Sequence, residues 1–318
     1  VCHQIAEEEE PERPMQKARF ELTPLAPYNF ALALTYLQTS PSAILEQIEE
    51  HHYRRALSLD GHDVILSAWS VGTIEAPCLA VELTGHTLPA EIVARAAHHM
   101  RVVFSLDVDP GPFQRVCAGD SVFAQLLDRY SGLRPVLIAS PYEALLWAVI
   151  GQQVNVAFAR KLKQALVNLC GQHLCFDGAT YPLLPRPEDV ARLDERVLRS
   201  HHFSSQKTAY VLGLSQAVVC GELDLARLAG VEYEEAVARL VQFKGIGRWT
   251  AEYVLMRGLG AMDSIPAADL GLRAVIGRSY GLARTATEAE VRSLAQGWAG
   301  WRGWAAFYWW LALQQERL

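Results

Sequence analysis

The sequence predicts an α+β N-terminal domain followed by an all-helical domain, and three observations lead there. Short runs of alternating apolar residues are confined to the first third of the chain. From about residue 112 the strand signals stop, and helical segments separated by Gly, Pro and Asp clusters follow. The 318 residues also exceed one domain of roughly 150 residues, so about two cores are expected.

Residues 1–19 contain four consecutive Glu and two Pro, a composition that predicts a disordered acidic tail. The first domain is expected over 20–110. PYNFALALTYLQTSP (27–41) reads as a short apolar helix ended by Pro41. Leu57 and Leu59, then Val64, Leu66 and Ala68, then Leu79, Val81 and Leu83 alternate as strands do, and Asp60-Gly61 separates the first two runs like a hairpin turn. EIVARAAHHMRVVF after Pro89 is an amphipathic helix, giving a small antiparallel sheet with helices on one side. The second domain, 111–318, has helical segments expected near 112–130, 141–170, 188–199, 204–219, 233–242, 248–258, 269–280, 287–297 and 301–315.

Composition excludes several classes. At 51% hydrophobic and 20% charged the chain is neither disordered nor a coiled coil. No apolar run reaches the ~18 residues of a membrane span. The start, VCHQIAEEEEPERP, lacks the basic and apolar parts of a signal peptide, so a cytoplasmic protein is expected. Its first residue is Val1 rather than Met, which reads as a processed or partial chain. The six Cys are scattered without a CxxC pair and none follows Cys220, which excludes a zinc ribbon and a C-terminal iron–sulfur cluster. His51-His52, His98-His99 and His201-His202 lack acidic or Cys partners at ligand spacing, so surface histidines and no metal are expected. Net charge is −6 overall but −8 over residues 1–140 and +2 over 141–318, so a basic surface for nucleic acid is expected only in the second half.

The informative stretch is LVQFKGIGRWTAEYVLMRGLGAMDSIPAADLGLRAVIG, residues 240–277. A helix meets the turn Lys244-Gly245-Ile246-Gly247, and a second helix starts at Arg248, a helix-hairpin-helix over 233–258. Gly245 and Gly247 allow positive φ and close backbone approach. The turn's N–H groups and the following helix dipole then form a phosphate-sized anion site. Thr250 would add a hydroxyl, and Ile246 would plug the turn into the core. Trp249 and Tyr253, spaced i,i+4, share one face of the second helix. Five of the eight Trp crowd into 298–310, most of them expected in the core. Asp269, before GLRAVIG, reads on its own as a helix N-cap. Lys207 and Arg273 fit phosphate contacts and solvated faces equally well.

The pattern GIGRWTAEYVLMR…D…P..DLGL resembles the helix-hairpin-helix, Gly/Pro-Asp signature of the base-excision DNA glycosylases, and within it the alkylbase glycosylases of the DNA-3-methyladenine glycosylase II type. PYNFALAL and SPYEALLWAVIGQQVNVAFARKL (140–162) are similar to segments of that family in the same order, so the resemblance spans nearly all of 20–318. It implies a TATA-binding-protein-like α/β N-terminal domain before the helical glycosylase domain. It places Asp269, 20 residues after Trp249, at the position of the catalytic aspartate, where a carboxylate would stabilise an oxocarbenium-like sugar. Trp249 stands where relatives that cut the backbone carry a Schiff-base Lys; an indole forms no imine, so a monofunctional enzyme is expected.

By the same resemblance Trp310 and Tyr36 join Trp249 and Tyr253 around the base pocket, an electron-rich box suited to a flipped, cationic base. Gln152 and Gln153 of GQQVN match the loop that fills the gap left by flipping. The implied partner is double-stranded DNA carrying alkylated bases of the 3-methyladenine and 7-methylguanine class, bound by a monomer on the bacterial nucleoid. No cofactor is required, although a monovalent cation on hairpin backbone carbonyls is consistent with the family. Two other readings stay open: a glycosylase for oxidised or mismatched bases, and a non-catalytic protein that binds alkylated DNA.

Overall fold

The computed structural model describes residues 15–40 and 43–315. Five strands, β1 (Gln16–Leu22), β2 (Glu46–Glu49), β3 (His52–Leu59), β4 (His62–Ser70) and β5 (Leu79–Gly85), form an antiparallel sheet in the order β1-β5-β4-β3-β2. Asp60 and Gly61, at φ 47° and 83°, make the expected two-residue hairpin between β3 and β4. The resulting register places Tyr53, Arg55 and Leu57 opposite Ala68, Leu66 and Val64. That face packs under α1 (Phe30–Thr39), capped by Asn29, and α2 (Ala90–Val103), which buries Ile92, Ala96 and Met100. Pro41, the expected helix stop, lies outside the described residues.

The boundary of the acidic tail shifts. Residues 1–14 are outside the described set, but β1 begins at Gln16, pairs with Gly85, and turns Leu22 into the core. Its charged alternate positions, Lys17, Arg19 and Glu21, are what an edge strand exposes, and they masked the Ala18, Phe20, Leu22 period.

A second correction concerns the expected absence of strands beyond residue 112. β6 (His173–Phe176) and β7 (Ala179–Pro182) form a hairpin around Asp177 and Gly178, at φ 53° and 75°. It repeats the turn chemistry of Asp60-Gly61. Leu174, Tyr181 and Leu183 cover Ala56 and Ile65 on the outer face of the sheet, so both faces are buried.

The remaining helices are α3 (Gly111–Cys117), α4 (Ser121–Arg129), α5 (Pro141–Gly151), α6 (Val156–Cys170), α7 (Pro187–Ala191), α8 (Glu195–Ser200), α9 (Ser205–Val219), α10 (Tyr233–Val241), α11 (Arg248–Leu259), α12 (Leu270–Ser279), α13 (Glu288–Leu294) and α14 (Arg302–Gln315). The single segments expected at 112–130, 141–170 and 188–199 are each two helices, broken where Asp120, Asn155 and Asp194 cap the second. α5 and α14 are buried nearly all round, and Trp298, Trp304 and Trp309 lie in the core as expected.

Sheet and helices share a buried ionic cluster. Glu143 on α5 accepts from Arg55 of β3 at 2.5 Å and from Lys163 of α6 at 2.7 Å, and Arg55 also pairs with Glu46. Burial alone would raise the Glu143 carboxyl, but Arg55 and Lys163 pull it down to about 2. His99 is not the surface histidine expected: its Nε2 is shut off from water without a partner. Burial, helped by the Arg55 charge, pushes its ring down to about 4, so it is neutral.

Candidate active site

α10 and α11 enclose the hairpin turn, and Ile246 is buried beneath it. The two glycines do different work. Gly245 has φ +100°, and a Cβ there would come within 2.6 Å of the Tyr210 ring. Gly247 has φ −92°, so it makes no use of the positive φ that glycine allows, and a Cβ there would meet nothing within 4 Å. Gly247 is the N-cap of α11 and no side chain caps the first turn, so its amides face outward beside exposed Lys244.

Two expected ligand contacts are used internally instead. Thr250 is 2% exposed and its hydroxyl accepts from Gln152 Nε2 at 3.0 Å, so it does not face a phosphate. The same Gln152 nitrogen donates to Gly245 O at 2.8 Å, which fixes the turn and removes Gln152 as a gap filler. Gln153 is left exposed in a left-handed conformation, φ 55°, a strained state that an L side chain adopts at a cost. Lys207 and Arg273 are also internal. Lys207 Nζ donates to the Val149 and Gln152 carbonyls at the end of α5, and Arg273 Nε donates to Ala286 O at 2.7 Å.

Buried Glu252 holds the hairpin to its surroundings. It accepts from Tyr233, Arg248 and Arg292, each at 2.9 Å, tying α10 and α13 to α11. Arg248 also pairs with Glu234 at 2.6 Å, so its charge is committed within the hairpin.

Asp269 caps α12 and is half-buried. Oδ1 accepts from Leu272 N at 2.8 Å and from Trp310 Nε1 at 3.2 Å, and among the described residues no group bonds Oδ2. One oxygen is fixed and the other is available. Gly271 has a reason to be Gly: a Cβ there would lie 2.8 Å from Leu313 and 3.2 Å from Asp269 Oδ1.

Three rings lead to this carboxylate. Trp249 and Tyr253 lie 5.5 Å apart at 33°, and Tyr253 and Trp310 5.8 Å apart at 46°. Trp249 is half-buried, while Tyr253 and Trp310 are largely buried. Tyr36 departs from expectation. It is 2% exposed, its ring packs on Phe307 at 4.2 Å, and its hydroxyl accepts from Arg257, so it is packed into the interior away from the other three rings.

Sequence reasoning missed Arg257, Gly271 and Leu270, the last 72% exposed beside Asp269. Arg257 had a signal, being the next i+4 step after Trp249 and Tyr253. No group of three or more metal-ligating side chains exists among the described residues.

Comparison with known proteins places these features in a family context. Residues 19–136 match the AlkA N-terminal domain model, and residues 146–300 match the HhH-GPD superfamily base excision DNA repair protein model. A DNA-3-methyladenine glycosylase of Bacillus subtilis is 30% identical over 282 residues, covering 88% of this chain and 92% of that protein. DNA-3-methyladenine glycosylase 2 of Escherichia coli is 26% identical over 89% of this chain and 94% of its own. The solved 3-methyladenine DNA glycosylase from Archaeoglobus fulgidus superposes with a TM-score of 0.78 at 26% identity, covering 92% of this chain and 97% of its own. An 8-oxoguanine glycosylase/lyase of Clostridium acetobutylicum, bound to DNA, shares the fold at 14% identity, with a TM-score of 0.74 over 95% of this chain and 99% of its own.

Proposed function

Since this chain belongs to the HhH-GPD superfamily of base excision DNA repair proteins, among the DNA-3-methyladenine glycosylases, we propose that it hydrolyses the N-glycosidic bond of alkylated purines flipped from duplex DNA, without a lyase step. The observation that carries the proposal is the Asp269 carboxylate, one oxygen pinned by Leu272 N and the Trp310 indole, the other open, next to the stack of Trp249, Tyr253 and Trp310.

In this reading the α11 N-terminus and the Gly247 gap hold a backbone phosphate, and Gln153 takes the space the flipped base leaves. The extruded base stacks against the rings. As the C1′–N bond breaks, the electron pair goes to the base, and Asp269 Oδ2 stabilises the cationic sugar until water adds to C1′. α11 carries no Lys in its sequence RWTAEYVLMRGL, so no amine stands there for an imine. The protein would act as a monomer on chromosomal DNA, needing no cofactor beyond a monovalent cation on the hairpin carbonyls.

The test is release of 3-methyladenine and 7-methylguanine from methylated DNA, followed by chromatography, with Asp269→Asn as control. Release abolished by the substitution, with abasic strands left uncut, supports the proposal. Strand cleavage by the wild type would refute the monofunctional part. Damage-specific binding without release, or release confined to 8-oxoguanine or mispaired adenine, would replace the reading altogether.

A further inference from the structure

We infer that Arg257 is a positioning residue for base release: its guanidinium sets a field running from the base side of the ring-lined slot to Asp269. The inference rests on the function proposed above. Trp249, Tyr253 and Arg257 succeed one another at i, i+4 and i+8 on α11, so the wall that takes the base ends in a cation. Arg257 is 2% exposed and forms no ion pair with a carboxylate among the described residues. One guanidinium N–H donates to the Tyr36 hydroxyl, and Nε is buried without a partner. The charge lies 5.0, 5.4 and 5.8 Å from the ring centroids of Tyr36, Phe307 and Trp310.

Trp310 therefore has a cation over its face and, 3.2 Å from its edge nitrogen, the anion Asp269. The Glu46 carboxylate, itself paired with Arg55, reaches Arg257 only as a more distant charge. A buried cation without a direct ion pair is costly, and an apolar side chain of similar length would fill the same space. Stability alone does not account for an arginine here. The charge movement of the reaction does. When the C1′–N bond breaks, its electron pair passes to the base. A purine methylated at N3 or N7 starts cationic and loses that charge to the sugar; a neutral base gains negative charge as it leaves. In both cases positive charge moves toward Asp269 and away from Arg257, the direction the pair of fixed charges favours. Water then bonds to C1′, and its proton goes to solvent or to the departing neutral base.

The same cation modifies the idea of an electron-rich box. The rings of Trp310 and Tyr36 already host Arg257, so attraction for a cationic base falls to Trp249 and Tyr253.

The experiment compares wild type, Arg257→Met and Arg257→Lys in single-turnover cleavage and equilibrium binding. The two probe duplexes carry 7-methylguanine, a cationic base, and hypoxanthine, a neutral one. The Met variant is expected to lose about 10- to 100-fold in cleavage rate on both, as two charges at slot distances would impose. It should bind the cationic-base duplex more tightly than wild type and the neutral-base duplex equally. Lys, which keeps the charge, should restore most of the rate, and the melting temperature of the Met variant should not fall. Unchanged rates in the Met variant overturn the inference. So does a loss of rate and binding that is equal on both duplexes and not rescued by Lys, which would mark a structural role. If wild type releases neither base, the proposed function itself fails.

Discussion

Replacing each hairpin glycine by alanine should give opposite outcomes. At Gly245 the added Cβ would lie 2.6 Å from the root of the Tyr210 ring, whose hydroxyl is held by Gln206, so the ring cannot simply swing away. The residue also sits at φ +100°. Left-handed strain of about 1–2 kcal/mol and overpacking of about 1–3 kcal/mol add to a loss on the order of 2–5 kcal/mol. That corresponds to a fall in melting temperature of about 3–8 °C for a chain of this size. At Gly247, with φ −92° and nothing within 4 Å, alanine fits the fold. Because Gly247 is the N-cap of α11, where Ala is less favoured than Gly, the change should cost no more than about 1 kcal/mol, part of it offset through the unfolded chain. The Cβ instead occupies the space through which a phosphate reaches the α11 amides, so affinity for DNA should drop about tenfold, the equivalent of about one charge-assisted hydrogen bond. Thermal denaturation and fluorescence anisotropy with an abasic duplex read the two effects separately. A Gly247→Ala protein that melts as early as Gly245→Ala, or that is stable and binds DNA as well as wild type, would refute the reasoning.

Other outcomes follow from the same contacts. Asp269→Asn keeps an N-cap side chain, so stability should hold within about 1 kcal/mol while base release falls by more than about 100-fold; melting curves and chromatography check the pair. Trp310→Phe keeps a ring but removes the N–H at 3.2 Å from Asp269 Oδ1, and should lower the single-turnover rate about tenfold with little change in DNA affinity. Gln153→Gly relieves the strain at φ 55° and should raise stability by about 0.5–1 kcal/mol while slowing base flipping, read with a fluorescent base analogue opposite the lesion. His99 has its ring held at about 4 when folded against roughly 6.5 when unfolded, so the unfolded chain binds the extra proton between those values. Stability should be full above about pH 6.5 and decline by up to about 3 kcal/mol as pH falls to 4, a limb that His99→Gln should flatten in urea titrations.

The legible parts of this protein were those whose signal is local. Apolar alternation at 64–68 and 79–83, the Asp60-Gly61 turn and the GIG hairpin are written in a few consecutive residues, and the structure places all of them as expected. Asp269 was legible twice, as a cap from its neighbours and as a candidate catalytic group from the resemblance. What escaped depends on distant partners. Nothing beside Gln152 or Thr250 says that they bond each other across 98 positions. Tyr36 and Arg257 lie 221 apart, so neither the burial of one nor the isolation of the other is visible locally. The Asp177-Gly178 hairpin is different: its signal was local, but its strands are only four residues long and sit among helices.

The acid at position 143 has a consequence for how this molecule divides. Its countercharges come from a helix of its own half, Lys163, and from a strand of the other, Arg55, while Leu174 and Tyr181 of the later half roof the earlier one. A fragment cut near residue 110 would strip Glu143 of one cation and leave two apolar side chains without their floor. The front third is thus a structural partner of the half that carries Asp269, not a detachable accessory, and truncations meant to isolate a minimal enzyme should yield insoluble material until both contacts are rebuilt.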